Sequence, residues 1–213
     1  MRLRLALVLA ALLLAAGCGR RVDPLTSCRL PAGATVLAIG DSLTRGHGAD
    51  GQGYAEQLQA LLAGLPGRDG LRVLNRGVDG ERSDGLLARL DDALAETRPA
   101  AVLITSGGND LLRRVGADAV RANLRAIVDR VRAAGAAAVV FAVPAPSLGA
   151  VVGVPSDHDL FDDLADDGRA EVIGGVVADV LSDPALRADR IHPNAAGYAM
   201  MAKAAAEVLR RCR

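Results

Sequence analysis

The sequence predicts a three-layer α/β domain: a five-stranded parallel sheet with helices on both faces. Three observations lead there. Short apolar runs of strand length alternate with longer amphipathic segments, which is the pattern of right-handed crossover units. Four polar, glycine-containing clusters fall where strands end or the last helix begins. The chain has 213 residues, 51% hydrophobic and 23% charged, which is ordinary for one globular domain and excludes disorder and coiled coil.

Taken in order, Met1–Cys18 carries Arg2 and Arg4, then an apolar stretch from Leu5 to Ala16 and the small residues Ala15-Ala16-Gly17 before Cys18. This is an export signal over residues 1–17, too short to span a bilayer, which takes about 20 residues. Its ending resembles a bacterial lipoprotein cleavage box, so Cys18 is the expected lipidated N-terminus and membrane anchor; ordinary cleavage nearby is the alternative. Gly19 offers no acidic retention residue, which favours an outer membrane and a domain facing the periplasm. Residues 18–34, with Pro24 and Pro31 and no periodicity, read as a tether. The domain is expected over 35–213.

The strands are expected at Thr35–Ile39, Leu71–Leu74, Ala101–Thr105, Ala137–Val143 and Glu171–Ile173. Helices fill the intervals. Tyr54–Leu65 places Leu58, Leu61, Leu62 and Leu65 on one face, and Ser83–Thr97 does so with Leu86, Leu87, Leu90 and Leu94. Asp118 is the expected N-cap of a helix with Val120, Leu124, Ile127, Val128 and Val131 as its stripe, and Gly135 is placed to end it. The last helix is expected from Asn194 to Arg211.

Charge and aromatic content narrow the function. There are 25 Lys+Arg against 25 Asp+Glu and no basic block, so no electrostatic footprint for nucleic acid. Tyr54, Phe141, Phe161 and Tyr198 are the only aromatic residues of these types and Trp is absent, too few for stacking platforms. In an oxidising compartment Cys28 and Cys212 can pair and tie the chain ends together; two unrelated buried thiols are the alternative, and no zinc spacing is present.

Ligands of parallel α/β folds bind outside the carboxyl ends of the strands. Those ends carry Gly40-Asp-Ser42-Leu-Thr44, Asn75-Arg-Gly77-Val-Asp-Gly80, Ser106-Gly-Gly-Asn109-Asp110 and, before the last helix, Asp189-Arg-Ile-His192. A serine hydroxyl is a weak nucleophile until a base takes its proton, and His192 is the candidate base. Asp189, three residues upstream, can accept the Nδ1 hydrogen and leave Nε2 facing Ser42. The Ser42 N–H, the Gly80 N–H and the Asn109 side-chain amide are candidate donors to an oxyanion.

The order and spacing of these blocks closely resemble those of the SGNH hydrolase superfamily, also called GDSL esterases or lipases, from about Val36 to Ala202. Within it the chain looks most like the bacterial arylesterase, lysophospholipase and thioesterase I type. The resemblance implies a flavodoxin-like fold, Ser42 as nucleophile, Gly80 and Asn109 as oxyanion donors with the Ser42 amide, Asp189 and His192 completing the triad, and no cofactor or metal. The second block departs from it: Asp79-Gly80-Glu81-Arg82 replaces small hydroxyl residues.

Other motifs are weaker. Gly46-His-Gly48-Ala-Asp-Gly51 matches a dinucleotide fingerprint formally, but it begins seven residues after Ile39 and the next strand ends in Asn75 instead of an acid. No Gly-x-Ser-x-Gly elbow is present. Asp41 reads as a structural residue that bonds loop amides. His47 and His158 read as surface residues, with His47 close enough to Ser42 to line its mouth. In segment 144–161, Leu148, Val151, Val152 and Val154 are expected to form a wall or lid for an acyl chain. The reading is an exported ester hydrolase acting through an acyl-enzyme, with a small or lipid ester as its partner and no obligate protein partner; acyl transfer to a sugar or lipid hydroxyl, or a silent binding lipoprotein, are the alternatives.

Overall fold

The computed structural model describes residues 23–145 and 153–213. The expected signal segment, Cys18, and the positions Leu148, Val151 and Val152 lie outside the described residues.

Five parallel strands form one sheet in the order β2-β1-β3-β4-β5, with β1 at Thr35–Gly40, β2 at Arg72–Gly77, β3 at Ala101–Thr105, β4 at Ala137–Phe141 and β5 at Glu171–Ile173. Successive side chains of a strand point to opposite faces. Every residue of β1, β3 and β4 is nevertheless buried, so helices cover both faces, as an all-parallel sheet requires. One covering group is α2 (Tyr54–Ala63) with α7 (Val176–Ser182) and α8 (Ala195–Arg210); the other is α3 (Ser83–Thr97) with α5 (Ala117–Ala133) and α6 (Leu160–Asp166). The buried stripe of α5 is Val120, Leu124, Ile127, Val128 and Val131, each worth about 1.5–3 kcal/mol of transfer energy. Gly135, at φ +82°, ends that helix.

Several expected boundaries move, and β2 runs on past Leu74 to take in Asn75 and Gly77. The helix α5 begins at Ala117 behind Gly116, so Asp118 is in its first turn, where it pairs with Arg121 at 2.6 Å instead of capping. Strand β4 stops at Phe141. The larger correction concerns the tether: Leu25, Cys28 and Leu30 are buried in the core, the Leu30 amide donates to the Arg213 carbonyl at 2.8 Å, and the Arg213 amide donates to the Cys28 carbonyl at 3.2 Å. Residues 23–34 therefore belong to the domain. Cys28 and Cys212 form a disulfide with their Cα atoms 4.9 Å apart.

The strand order reverses between β1 and β3, since β2 lies on one side of β1 and β3, β4 and β5 on the other. Such a switch point opens a crevice at the carboxyl ends of the two central strands. Gly40 closes β1 there with φ +147°, and a Cβ on it would lie 2.0 Å from the Thr105 carbonyl oxygen. Only glycine lets the two strand ends approach this closely.

Candidate active site

Immediately after Gly40, Asp41 caps the short helix α1 (Ser42–Arg45) by accepting from the Leu43 amide at 3.0 Å. This sets Ser42 at the first helical position, where its own N–H has no helical acceptor. Thr105, the last residue of β3, donates its hydroxyl to the same carboxylate oxygen at 3.0 Å. Asp41 is therefore structural, as the sequence suggested. Desolvation raises its carboxyl to about 7 against these hydrogen bonds, with the Glu81 charge adding to the rise.

His192 is delivered by the loop before α8. Its Nδ1 lies 2.8 Å from Asp189 Oδ2, and its Nε2 lies 2.9 Å from Ser42 Oγ. A carboxylate only accepts, so the ring hydrogen sits on Nδ1 and Nε2 is left to accept from the serine. Asp189 is fixed by two further donors, the amides of Ile191 and His192, each at 2.8 Å. Burial raises its carboxyl, but the bonds from His192 and Ile191 outweigh burial and hold it below the usual range. Asn194 then caps α8 by accepting from the Ala196 and Gly197 amides, and Tyr198 on that helix donates to the His47 carbonyl at 3.0 Å. The two loops are thus tied together behind the serine.

The expected oxyanion donors meet less completely. The Ser42 and Gly80 amides donate to no other group of the described residues, while the Asn109 side chain donates to the Glu81 carbonyl at 3.1 Å. That bond uses one of its two amide hydrogens and leaves the other. Asn109 stands on the short helix α4 (Gly108–Leu112), whose Asp110 accepts from the Ser83 amide and hydroxyl at 2.9 and 2.8 Å, so the second and third blocks are joined directly. Asn109 and Ser42 line a cavity of about 390 Å³; Gly80 is not in its wall and instead accepts from Arg113 at 3.1 Å.

Of the four residues expected to form a wall or lid, only Val154 is among the described residues. Val154 is 69% exposed and stays out of the wall, whereas its neighbours Gly153 and Pro155 are in it; alternate residues of an extended segment face opposite ways. The sequence reading missed the rest of the lining, which includes Leu112, Val177, Leu181, Arg187, Arg190 and Ile191. Only Arg190 and Ile191 carried a signal, since they sit inside the Asp189-to-His192 block.

The other histidines separate. His47 packs its ring 4.4 Å from that of His192 and has Asp79 3.8 Å from its Nδ1. His158 Nδ1 accepts from the Leu160 amide, away from the serine. His47, Asp189 and His192 are the grouping of metal-ligating side chains found among the described residues, with ligand atoms up to 4.8 Å apart. Tetrahedral zinc ligands at about 2.0–2.1 Å stand about 3.4 Å from each other, and two of these three side chains are already committed elsewhere, Asp189 to His192 and His192 to Ser42.

Residues 38–200 match the GDSL-like lipase/acylhydrolase family. The chain belongs to that family. It is 40% identical over 116 residues, 54% of its length, to the esterase TesA of Pseudomonas aeruginosa. It is 31% identical over 123 residues, 58% of its length, to the thioesterase 1/protease 1/lysophospholipase L1 of Escherichia coli strain K12. Each match spans 57% of that relative, so the chain covers little more than half the length of these two proteins. A crystal structure of TesA superposes with a TM-score of 0.72 at 30% identity, covering 83% of this chain and 98% of that one. All four blocks quoted from the sequence lie within the matched residues.

Proposed function

We propose that this chain is an exported serine esterase that cleaves carboxylic esters through an acyl-enzyme on Ser42. The observation that carries the reading is the relay from Asp189 through His192 to Ser42, at 2.8 and 2.9 Å, with Ser42 and His192 in the wall of a cavity lined by both polar and apolar side chains. Two groups within hydrogen-bond reach of one another, the base oriented by a third, make a nucleophile at neutral pH.

In the first half-reaction Ser42 Oγ bonds to the ester carbonyl carbon as its proton passes to His192 Nε2. The carbonyl oxygen takes the electron pair, and the Ser42 amide and the free Asn109 hydrogen, both from residues of the cavity wall, are the donors for it, each worth about 3 kcal/mol where aligned. Collapse expels the alcohol, which leaves with the proton from His192. Water then repeats the sequence on the acyl-serine and frees the carboxylic acid. Asp189 stabilises the imidazolium in both halves and stays ionised.

A cavity of about 390 Å³ is within the usual range of about 300–1,000 Å³ for small-ligand sites, and its Leu, Val, Ile and Pro lining suits an acyl chain. Names of relatives that include esterase, thioesterase and lysophospholipase support acyl esters and thioesters as the substrate class. The export segment and Cys18 support a lipid-anchored, envelope-facing enzyme. Mass spectrometry of the envelope fraction, with Cys18→Ser as control, tests the anchor.

The deciding experiment is hydrolysis of p-nitrophenyl esters from acetate to dodecanoate by the purified protein and its Ser42→Ala variant. Turnover lost on substitution supports the reading, and the chain-length optimum reports the reach of the cavity. Equal negligible rates overturn it in favour of acyl transfer or binding.

A further inference from the structure

Two guanidinium groups line the proposed ester site without a carboxylate to neutralise them. Arg187 and Arg190 are in the cavity wall with Leu181 and Ile191. Arg187 is half-buried and donates from Nη1 to the Leu181 carbonyl at 2.9 Å, which fixes one arm of its fork and leaves the others. Neither arginine has an ion-pair partner among the described residues.

The acids around them are all engaged elsewhere. Asp189 accepts from His192, Ile191 and the His192 amide; Asp183 accepts from the Ala185 amide. Asp41 is buried on Leu43 and Thr105, Asp110 holds Ser83, and Glu81 pairs with Arg89 at 2.6 Å. Arg113, the guanidinium beside Gly80, donates to a backbone carbonyl instead of a carboxylate. Arg187 and Arg190 thus stand in the cavity wall as cations without a carboxylate partner, in a chain of formal net charge +0. A guanidinium offers a planar fork of donors matched to carboxylate, sulfate or phosphate, and an otherwise apolar pocket with a few placed polar groups sets a ligand's orientation through them.

We infer that the site selects esters bearing an anionic group, held by Arg187 and Arg190 while the rest of the substrate fills the apolar wall. The inference rests on the esterase reading above and names the substrate class within it. The anion belongs to either the acyl chain or the leaving group. Arg190 stands two residues before His192, the group that protonates the leaving oxygen, which places the leaving-group side nearest along the chain.

The test uses two matched pairs, each corrected for its rate with hydroxide. One is the octanoyl ester of a nitrophenol carrying a ring carboxylate, against the methyl ester of that carboxylate. The other is mono-p-nitrophenyl suberate against its methyl ester. At least one anionic member should show the higher kcat/KM, and the pair that does locates the anion. The ratio of anionic to neutral kcat/KM should fall about tenfold in the Arg187→Gln, Arg190→Gln double variant, the size expected for losing a charge-assisted hydrogen bond at a partly exposed site. In the unsubstituted protein it should shrink between about 0.01 and about 1 M salt, over which the screening length drops from ~30 to ~3 Å. Equal corrected rates within both pairs, or a preference untouched by both the substitutions and salt, overturn the inference. If no ester of either pair is cleaved, the esterase reading itself has failed. Octyl sulfate binding to the Ser42→Ala protein, read by calorimetry with and without the two arginines, then decides the anion site alone: loss with the arginines supports it, and no difference overturns it.

Discussion

Thr105 donates its hydroxyl hydrogen to Asp41 Oδ1 across 3.0 Å, so the last residue of β3 holds the residue that sets Ser42. With that hydrogen committed, the 2.6 Å contact between Thr44 and Thr105 has Thr44 as its donor, and the 3.2 Å contact between Tyr54 and Thr44 has Tyr54 as its donor. A directed chain of four buried groups therefore ends on the cap of α1. Thr105→Val keeps the shape and removes the link, leaving Thr44 without its acceptor. It should cost about 1–3 kcal/mol in urea unfolding. The released cap should lower kcat about ten- to a hundredfold with KM little changed, because sub-ångström placement of the nucleophile matters more to the chemical step than to binding.

Asp41 makes a second prediction through pH. Desolvation, opposed by its hydrogen bonds to Leu43 and Thr105, raises its carboxyl from 3.8 to about 7. Between those values the folded state binds a proton that the unfolded chain has lost. Stability from this group is therefore fully present below about pH 4 and declines as pH climbs through about 7. Asp41→Asn keeps an acceptor for the Leu43 amide and has no proton to release. Its Tm should be flatter than that of the unsubstituted protein from about pH 4 to about pH 7, and parallel Tm–pH curves for the two proteins would show that the buried carboxyl ionises at its ordinary value.

These residues also show what a sequence can and cannot carry. The buried strands were legible because runs such as Ala101–Ile104 are apolar throughout, and α5 because its stripe recurs at the helical period. The helices α1, α4, α6 and α7 were not, since four to seven residues are too few for a period to register. Residues 23–34 passed for a tether because Leu25, Cys28 and Leu30 follow no period; what packs them is the far end of the chain, through Arg213 and Cys212. At the site, Ser42, Asp189 and His192 were readable as motif residues. Arg187, Leu181 and Val177 were not, because only the tertiary fold brings them to the cavity. The stacking of His47 on His192 was equally invisible.

The relay predicts a sharp division between kinetics and stability. His192 is 12% exposed and Asp189 is half exposed, and neither holds the core. Asp189→Asn should lower kcat about 10⁴-fold by favouring the wrong ring tautomer, with His192→Gln falling at least as far. Tm at neutral pH should change little in either. A large loss of Tm with a small loss of kcat would show instead that the loop is a scaffold and that Ser42 finds its base elsewhere.

The disulfide offers the reverse division. Cys28 and Cys212 are 184 positions apart, so their bond closes nearly the whole domain as one loop and restricts the unfolded chain. Replacing both by Ala should cost about 2–5 kcal/mol in urea unfolding. It should also raise hydrogen exchange at residues 23–34 and 211–213, which depend on each other for their backbone bonds. Esterase turnover should persist below the unfolding transition. The bond sits before the first residue of β1, whereas Ser42 follows the last, and a six-residue strand at about 3.3 Å per residue separates the two by about 17 Å of core. Loss of kcat in step with the loss of terminal protection would place the chain ends in control of the rim where Ser42 lies.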